Sequence, residues 1–244
     1  MTTILNVDDV SKSFGGLKAV REVGFDLHEG EILGFIGPNG AGKTTLFNIV
    51  AGAIPADSGF VTFDGQRTEA MRPHEIARLG LVRTFQVVKP FSGLTVHENV
   101  LVGAFLNRRD PTEANARSRE MMRITGLTPY ADRAAQGLTL AIRKRLELAR
   151  ALATDPKVLL LDEVLAGLTP TEGAEMIEVV RSIRDGGVSM LIIEHVMAAI
   201  MALSDRIAVI HHGEMLAIGK PAEIVKDPRV VEAYLGEEFQ IAPD

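Results

Sequence analysis

The chain has 244 residues, 46% of them hydrophobic, a formal net charge of −6 and no cysteine. That length buries a substantial apolar core, as one large domain or as a core with a smaller insertion. The acidic balance argues against a whole-surface nucleic-acid binder, and the lack of cysteine excludes disulfides, thiolate zinc sites and thiol nucleophiles. The first residues, Met1 to Asp9, have neither a basic nor an apolar signal region, so no signal peptide is expected. The most apolar window, Val188 to Leu203, is interrupted by Glu194 and His195 and does not read as a membrane span, so any membrane role is expected to be peripheral.

Residues 4 to 36 read as short strands punctuated by Gly15-Gly16 and Glu29-Gly30, with Phe14 just ahead of the first turn. The apolar run Ile32 to Ile36 leads into Gly37-Pro38-Asn39-Gly40-Ala41-Gly42-Lys43-Thr44-Thr45, and a helix from about Thr44 ends near Gly52. Gly59 to Phe63 alternates as a strand before an Asp64-Gly65 hairpin signal, and Leu81 to Phe85 is a further strand ending at Gln86. From there to Thr154 the composition turns to Ala, Arg, Glu and Met, broken at Pro111, Gly126 and Pro129, which predicts a helical insertion. A buried strand returns at Val158 to Leu161. Thr169-Pro170-Thr171-Glu172 opens a helix with a capping box and Pro at its first position. A second buried strand spans Val188 to Ile193, a hairpin turns at His212-Gly213, and short helices close the chain over Pro221 to Leu235. Strands alternating with helices imply an α/β core with a ligand at the carboxyl ends of its strands.

The chemistry concentrates at those ends. The segment Gly37 to Thr45 fits G-x-x-x-x-G-K-[ST] in its strand–loop–helix context, so its backbone N–H groups, through Asn39, Gly40, Ala41 and Gly42, can turn inward around phosphate oxygens. Lys43 would reach the β and γ phosphates and Thr44 would ligate Mg²⁺. A phosphate loop alone does not separate kinase from GTPase or transport ATPase. Asp162 and Glu163, closing the strand Leu159 to Leu161, narrow the choice: Asp162 is placed to hold Mg²⁺ and Glu163 to orient and deprotonate a water. Gln86 and His195 each end a strand, where an amide could touch metal and water and an imidazole the γ phosphate. Taken singly, such residues are ordinarily structural, as an isolated Phe14 is ordinarily core.

In their order and spacing, Phe14, Gly37 to Thr45, Gln86, Asp162-Glu163 and His195 resemble an ATP-binding cassette (ABC) subunit over essentially the whole chain. Arg83 to Gln86, Leu94 to Asn99, Glu163 to Pro170 and Ala233 to Gly236 resemble the LivG type of branched-chain amino acid importers. The resemblance implies a P-loop NTPase with a RecA-like parallel-sheet core and antiparallel β subdomain (1–86 and 155–220), a helical subdomain (87–154) and C-terminal helices (221–244). It implies a cytoplasmic ATPase, peripheral on the inner face of the membrane, using ATP and Mg²⁺. Its partners would be a second cassette subunit, identical or different, two permeases and, indirectly, a periplasmic binding protein, with no nucleic acid. Implied roles are adenine contact for Phe14, phosphate contact for Lys43 and Thr45, Mg²⁺ contact for Thr44 and Gln86, general base for Glu163 and γ-phosphate contact for His195.

One segment departs from the family. Where Leu-Ser-Gly-Gly-Gln belongs, the chain reads Leu138-Thr139-Leu140-Ala141-Ile142. Thr139 keeps the hydroxyl that would meet ATP held by the opposite subunit, but both glycines and the glutamine are gone, which predicts a weakened composite site. Thr169 stands where many cassettes carry Asp. Val87 to Leu94, with Pro90, Phe91 and Leu94, is either a permease contact or packing for the insertion. A urea or amide importer, a soluble cassette ATPase acting outside transport, and a non-hydrolysing regulatory module are the competing readings. Retained Glu163 and His195 argue against the last.

Overall fold

The computed structural model describes residues 2–84 and 89–238, with side chains through residue 234. Gln86, with Val87 and Val88 of the expected permease contact, lies outside the described residues. In chain order the strands and helices begin with β1 (Thr3–Phe14), β2 (Leu17–His28), β3 (Ile32–Ile36), α1 (Lys43–Val50), β4 (Ser58–Phe63) and β5 (Gln66–Arg67). Then follow α2 (Pro73–Leu79), β6 (Leu81–Arg83), α3 (Val96–Ala104), α4 (Pro111–Ile124), α5 (Leu140–Leu152) and β7 (Val158–Asp162). The chain closes with α6 (Pro170–Asp185), β8 (Ser189–Ile193), α7 (Met197–Leu203), β9 (Arg206–His211), β10 (Glu214–Gly219), α8 (Pro221–Ile224) and α9 (Pro228–Glu238). No described helix is long and apolar enough to cross a membrane.

The chain divides into two compact units, one formed by residues up to Pro73 and from Ser189 onward, the other by His74–Val188. In the first, β2, β1, β4 and β5 form an antiparallel sheet in that order. The short strands expected before the phosphate loop are in fact two strands of 12 residues, joined at Gly15-Gly16, both with positive φ. Register shifts along β1 and β2 let the long ribbon twist and explain why its alternation is broken into short runs. Beside this sheet, β3 runs parallel to both β8 and β9, and β9 turns back into β10. All five residues of β3 and of β8 are buried, as a strand covered on both faces requires. Phe25 of β2 meets Phe35 of β3 edge to face, ring centroids 5.0 Å apart, so the two sheets share one core.

The amino end of β3 is tied down by charge. Arg206 grips Glu31 through both guanidinium branches, at 2.5 and 3.0 Å, and the Asp205 carboxylate accepts from the Ile32 N–H at 2.8 Å. The Glu31 hydrogen bonds hold the Arg206 guanidinium above its ordinary pKa. On the face of β3, Gly34 leaves the space that Ile200 and Ser204 occupy at α7 and its C-cap; any side chain at 34 would strike both.

In the second unit, β6 pairs in parallel with β7, Arg83 opposite Leu160. Helices α3, α4 and α5 fall within the stretch expected to be helical. The break expected at Pro111 is the boundary between α3 and α4: Pro111 opens α4 in its first turn, where its missing N–H costs nothing, and Asp110 caps the Thr112 N–H. Asn99, fully buried on α3, exchanges bonds with Phe91 in both directions and donates to the Thr95 carbonyl, fixing the loop ahead of the helix. Gly103 lets α3 come against the Arg150 carbonyl of α5, where a Cβ would have no room.

Candidate active site

The phosphate loop emerges from the carboxyl end of β3. Its Gly42 adopts φ 105° as the N-cap of α1, and no side chain caps that helix, so the first-turn N–H groups are left for an anion. A Cβ on Gly42 would overlap the Ala19 carbonyl oxygen of β2, so glycine is required there by both φ and space. The His212-Gly213 turn of the β9–β10 hairpin braces the loop from behind: the Gly213 N–H donates to the Ala41 carbonyl at 3.0 Å and the Gly213 carbonyl accepts from Arg21 at 2.7 Å. Lys43 is buried, and its Nζ donates to the carbonyls of Gly37 and Pro38 at 2.5 and 2.8 Å. This cation at the open helix terminus, within a ring of loop backbone, fits a polyphosphate. Thr44 is exposed and Thr45 half-buried at the start of α1.

His195 follows β8. Because β8 and β3 are parallel with Phe35 opposite Ile193, His195 and the phosphate loop leave the sheet at the same end, and His195 is exposed there. Phe14 closes β1 with 49% of its surface exposed, and Lys12 Nζ lies 5.7 Å from its ring centroid. Asp57 anchors that tip: it pairs with Lys12 at 2.6 Å and accepts from the Ser13 N–H at 2.7 Å. The Lys12 hydrogen bond, with Ser13 assisting, holds the Asp57 carboxyl below the usual carboxylate range. An exposed aromatic face on an anchored hairpin is suited to stacking on a base.

In the second unit, Asp162 ends β7 almost fully buried, with Arg83 Nη2 2.8 Å from its carboxylate; Thr84, just past β6, donates its N–H to the Leu160 carbonyl. Glu163 is half-buried and takes φ 52°, a left-handed conformation unusual for a residue with a Cβ. Thr139 is the N-cap of α5 and its hydroxyl accepts from the Ile142 N–H at 3.4 Å, so the departed signature still starts a helix with a hydroxyl cap. The capping box at Thr169 forms as expected, Glu172 returning to the Thr169 N–H at 2.9 Å, and those bonds lower the Glu172 pKa.

Three or more His, Asp or Glu side chains do not cluster as a metal cage among the described residues. Arg83 and Lys144 were not singled out by role from the sequence, because their significance lies in tertiary contacts to Asp162 and to the Glu163 backbone.

A family model described as ABC transporter matches residues 20–166, and one described as branched-chain amino acid ATP-binding cassette transporter matches residues 214–240. The chain belongs to the ABC transporter family of ATP-binding cassettes. This cassette is 41% identical over 250 aligned positions to the high-affinity branched-chain amino acid transport ATP-binding protein LivG of Salmonella typhimurium, covering 96% of this chain and 98% of LivG. It is 39% identical to BraF of Pseudomonas aeruginosa, of the same description, with 96% of this chain covered. The crystal structure of a nucleotide-free cassette from an ABC transporter superposes with a TM-score of 0.87 at 30% identity, covering 96% of this chain and 99% of the other. The cassette is therefore an α/β ABC ATPase, an ATP-hydrolysing transporter subunit.

Proposed function

We propose that this cassette powers import of branched-chain or other small amino acids, working on the inner face of the membrane with a second cassette, two permeases and a periplasmic binding protein. The observation that carries the substrate class is the match of residues 214–240, in the C-terminal part of the chain, to the branched-chain amino acid cassette model, alongside near full-length likeness to LivG. The working division is a nucleotide-binding core (1–86 and 155–220), a helical subdomain (87–154) and C-terminal helices (221–244).

In this reading the open N–H groups of α1 and of Asn39 to Gly42 hold the phosphates, Lys43 turns from the loop carbonyls to the β and γ oxygens, and Thr45 adds a hydroxyl. Phe14 stacks on adenine. Thr44, Gln86 and Asp162 would hold Mg²⁺, which when bound offsets charge developing on the phosphate oxygens. Glu163 accepts the proton of the attacking water as its oxygen bonds to the γ phosphorus and the bond to ADP breaks, and His195 donates to the γ phosphate. Thr139 and the α5 N-terminus close over ATP on the opposite cassette.

Co-purification of the membrane partners, followed by ATP hydrolysis against a panel of solutes, tests the proposal. Stimulation by leucine, isoleucine or valine supports it. Stimulation by urea or short amides alone would overturn the substrate class.

A further inference from the structure

The first turns of α5 lie against the turn that carries Glu163. Lys144, one turn beyond Leu140, is 6% exposed, and its Nζ donates to the Glu163 carbonyl at 2.6 Å. The same carbonyl accepts from the Ala166 N–H at 3.2 Å, so Glu163 to Ala166 forms a closed turn with the lysine as a second donor. Glu163 itself sits at φ 52°. Left-handed backbone at a residue with a Cβ is strained and persists only where surrounding contacts over-determine it. A buried ammonium on its carbonyl is such a contact, since charge-assisted hydrogen bonds are stronger than neutral ones. Leu140, which stands where the signature has a glycine, packs nearby: its Cδ2 lies 2.9 Å from where a Cβ on Gly167 would stand.

We infer that Lys144 is a positioning residue for the hydrolytic step: by fixing the Glu163 carbonyl it holds the peptide in the left-handed well and so sets the direction in which the Glu163 carboxylate leaves the chain. The inference rests on Glu163 being the general base. The Lys144 bond is to the main chain of the turn that carries Glu163. Removing it therefore changes kcat and leaves nucleotide affinity alone. A misplacement of about 1 Å at a reacting group lowers turnover by as much as about a hundredfold. The same α5 begins at Thr139, so the lysine also ties the helix expected to meet the partner's nucleotide to this chain's own base.

The test compares wild type with Lys144→Met, Lys144→Arg and Glu163→Gln in the complex co-purified with its membrane partners. Mg-ATP affinity is measured by equilibrium binding, kcat and KM by phosphate release, and thermal stability alongside. Lys144→Met should lower kcat about tenfold or more with KM and ATP affinity within about twofold, and Lys144→Arg, which keeps a charged donor, should recover most of the rate. Equal kcat in Lys144→Met and wild type would overturn the inference. So would a rate loss in Lys144→Met that tracks its thermal stability and that Lys144→Arg, with wild-type stability, does not reverse. If Glu163→Gln keeps full turnover, the general-base reading fails instead. If Glu163→Gln removes turnover while Lys144→Met leaves it unchanged, only the positioning role falls.

Discussion

Arg83→Ala isolates the contact that fixes the acidic end of β7. The pair is 2.8 Å apart, with side chains 11% and 3% exposed, so it lies outside the regime of surface ion pairs, whose worth is about 0–1 kcal/mol. Removing one member of a buried pair leaves the other charge uncompensated and costs about 3–5 kcal/mol. Arg83→Ala and Asp162→Asn should each destabilise the chain by a few kcal/mol, roughly 2–4 once solvent reaching the strand end is allowed for. Because each single change breaks the same contact, the double variant should fall well short of the sum, with a coupling of at least about 1 kcal/mol. Urea unfolding of the four chains closes the cycle, and an unchanged m-value would locate the effect in stability rather than in the compactness of either state. Additivity within about 0.3 kcal/mol would refute the claim that Arg83 holds Asp162.

Gly42→Ala should weaken Mg-ATP binding by about tenfold or more, since φ 105° and the Ala19 carbonyl both exclude a Cβ and any relief moves the loop; unchanged binding in calorimetry would contradict this. Gly103→Ala should cost about 1–3 kcal/mol by forcing α3 away from the Arg150 carbonyl, read as a lower urea midpoint. Asp57 has a depressed carboxyl pKa, so its contribution is present above the ordinary value of 3.8 and is lost as pH falls through the lower folded value; Asp57→Asn should remove that part of the acid dependence in a pH series of thermal melts. Restoring Gly, Gly and Gln at Leu140, Ala141 and Ile142 should raise the ATPase rate of the assembled complex several-fold, and an unchanged rate would show that Thr139 and the α5 N-terminus suffice.

Where local chemistry decides the structure, the residues could be read directly. Thr169-Pro170 with Glu172, the His212-Gly213 turn and the phosphate loop each state their conformation in a few neighbouring positions. Helix α7 could not be read that way, because strand β8 and α7 merge into one apolar window, and what separates them is the fit of Ile200 and Ser204 into the gap at Gly34. Helix α2 was equally silent: seven residues with Ile76 alone buried carry too little periodicity to register. Pro111 could be read as a break between helices because proline suits the first turn of a helix, and Asp110 caps the one that starts there. At the candidate site, Lys43 and Asp162 stand out by their motifs, whereas Phe14 and His195 gain meaning only beside them. The contacts of Arg83 and Lys144 pair residues 79 and 19 positions apart, and no local pattern marks them.

The most direct test of the whole account is solute-stimulated ATP hydrolysis by the assembled transporter, with wild-type cassette and with Glu163→Gln. The account predicts that a branched-chain amino acid, delivered with its binding protein, raises phosphate release by the wild-type assembly, and that Glu163→Gln removes that increment while ATP still binds. Undiminished stimulated turnover in Glu163→Gln, or a wild-type assembly indifferent to every amino acid offered, would contradict it.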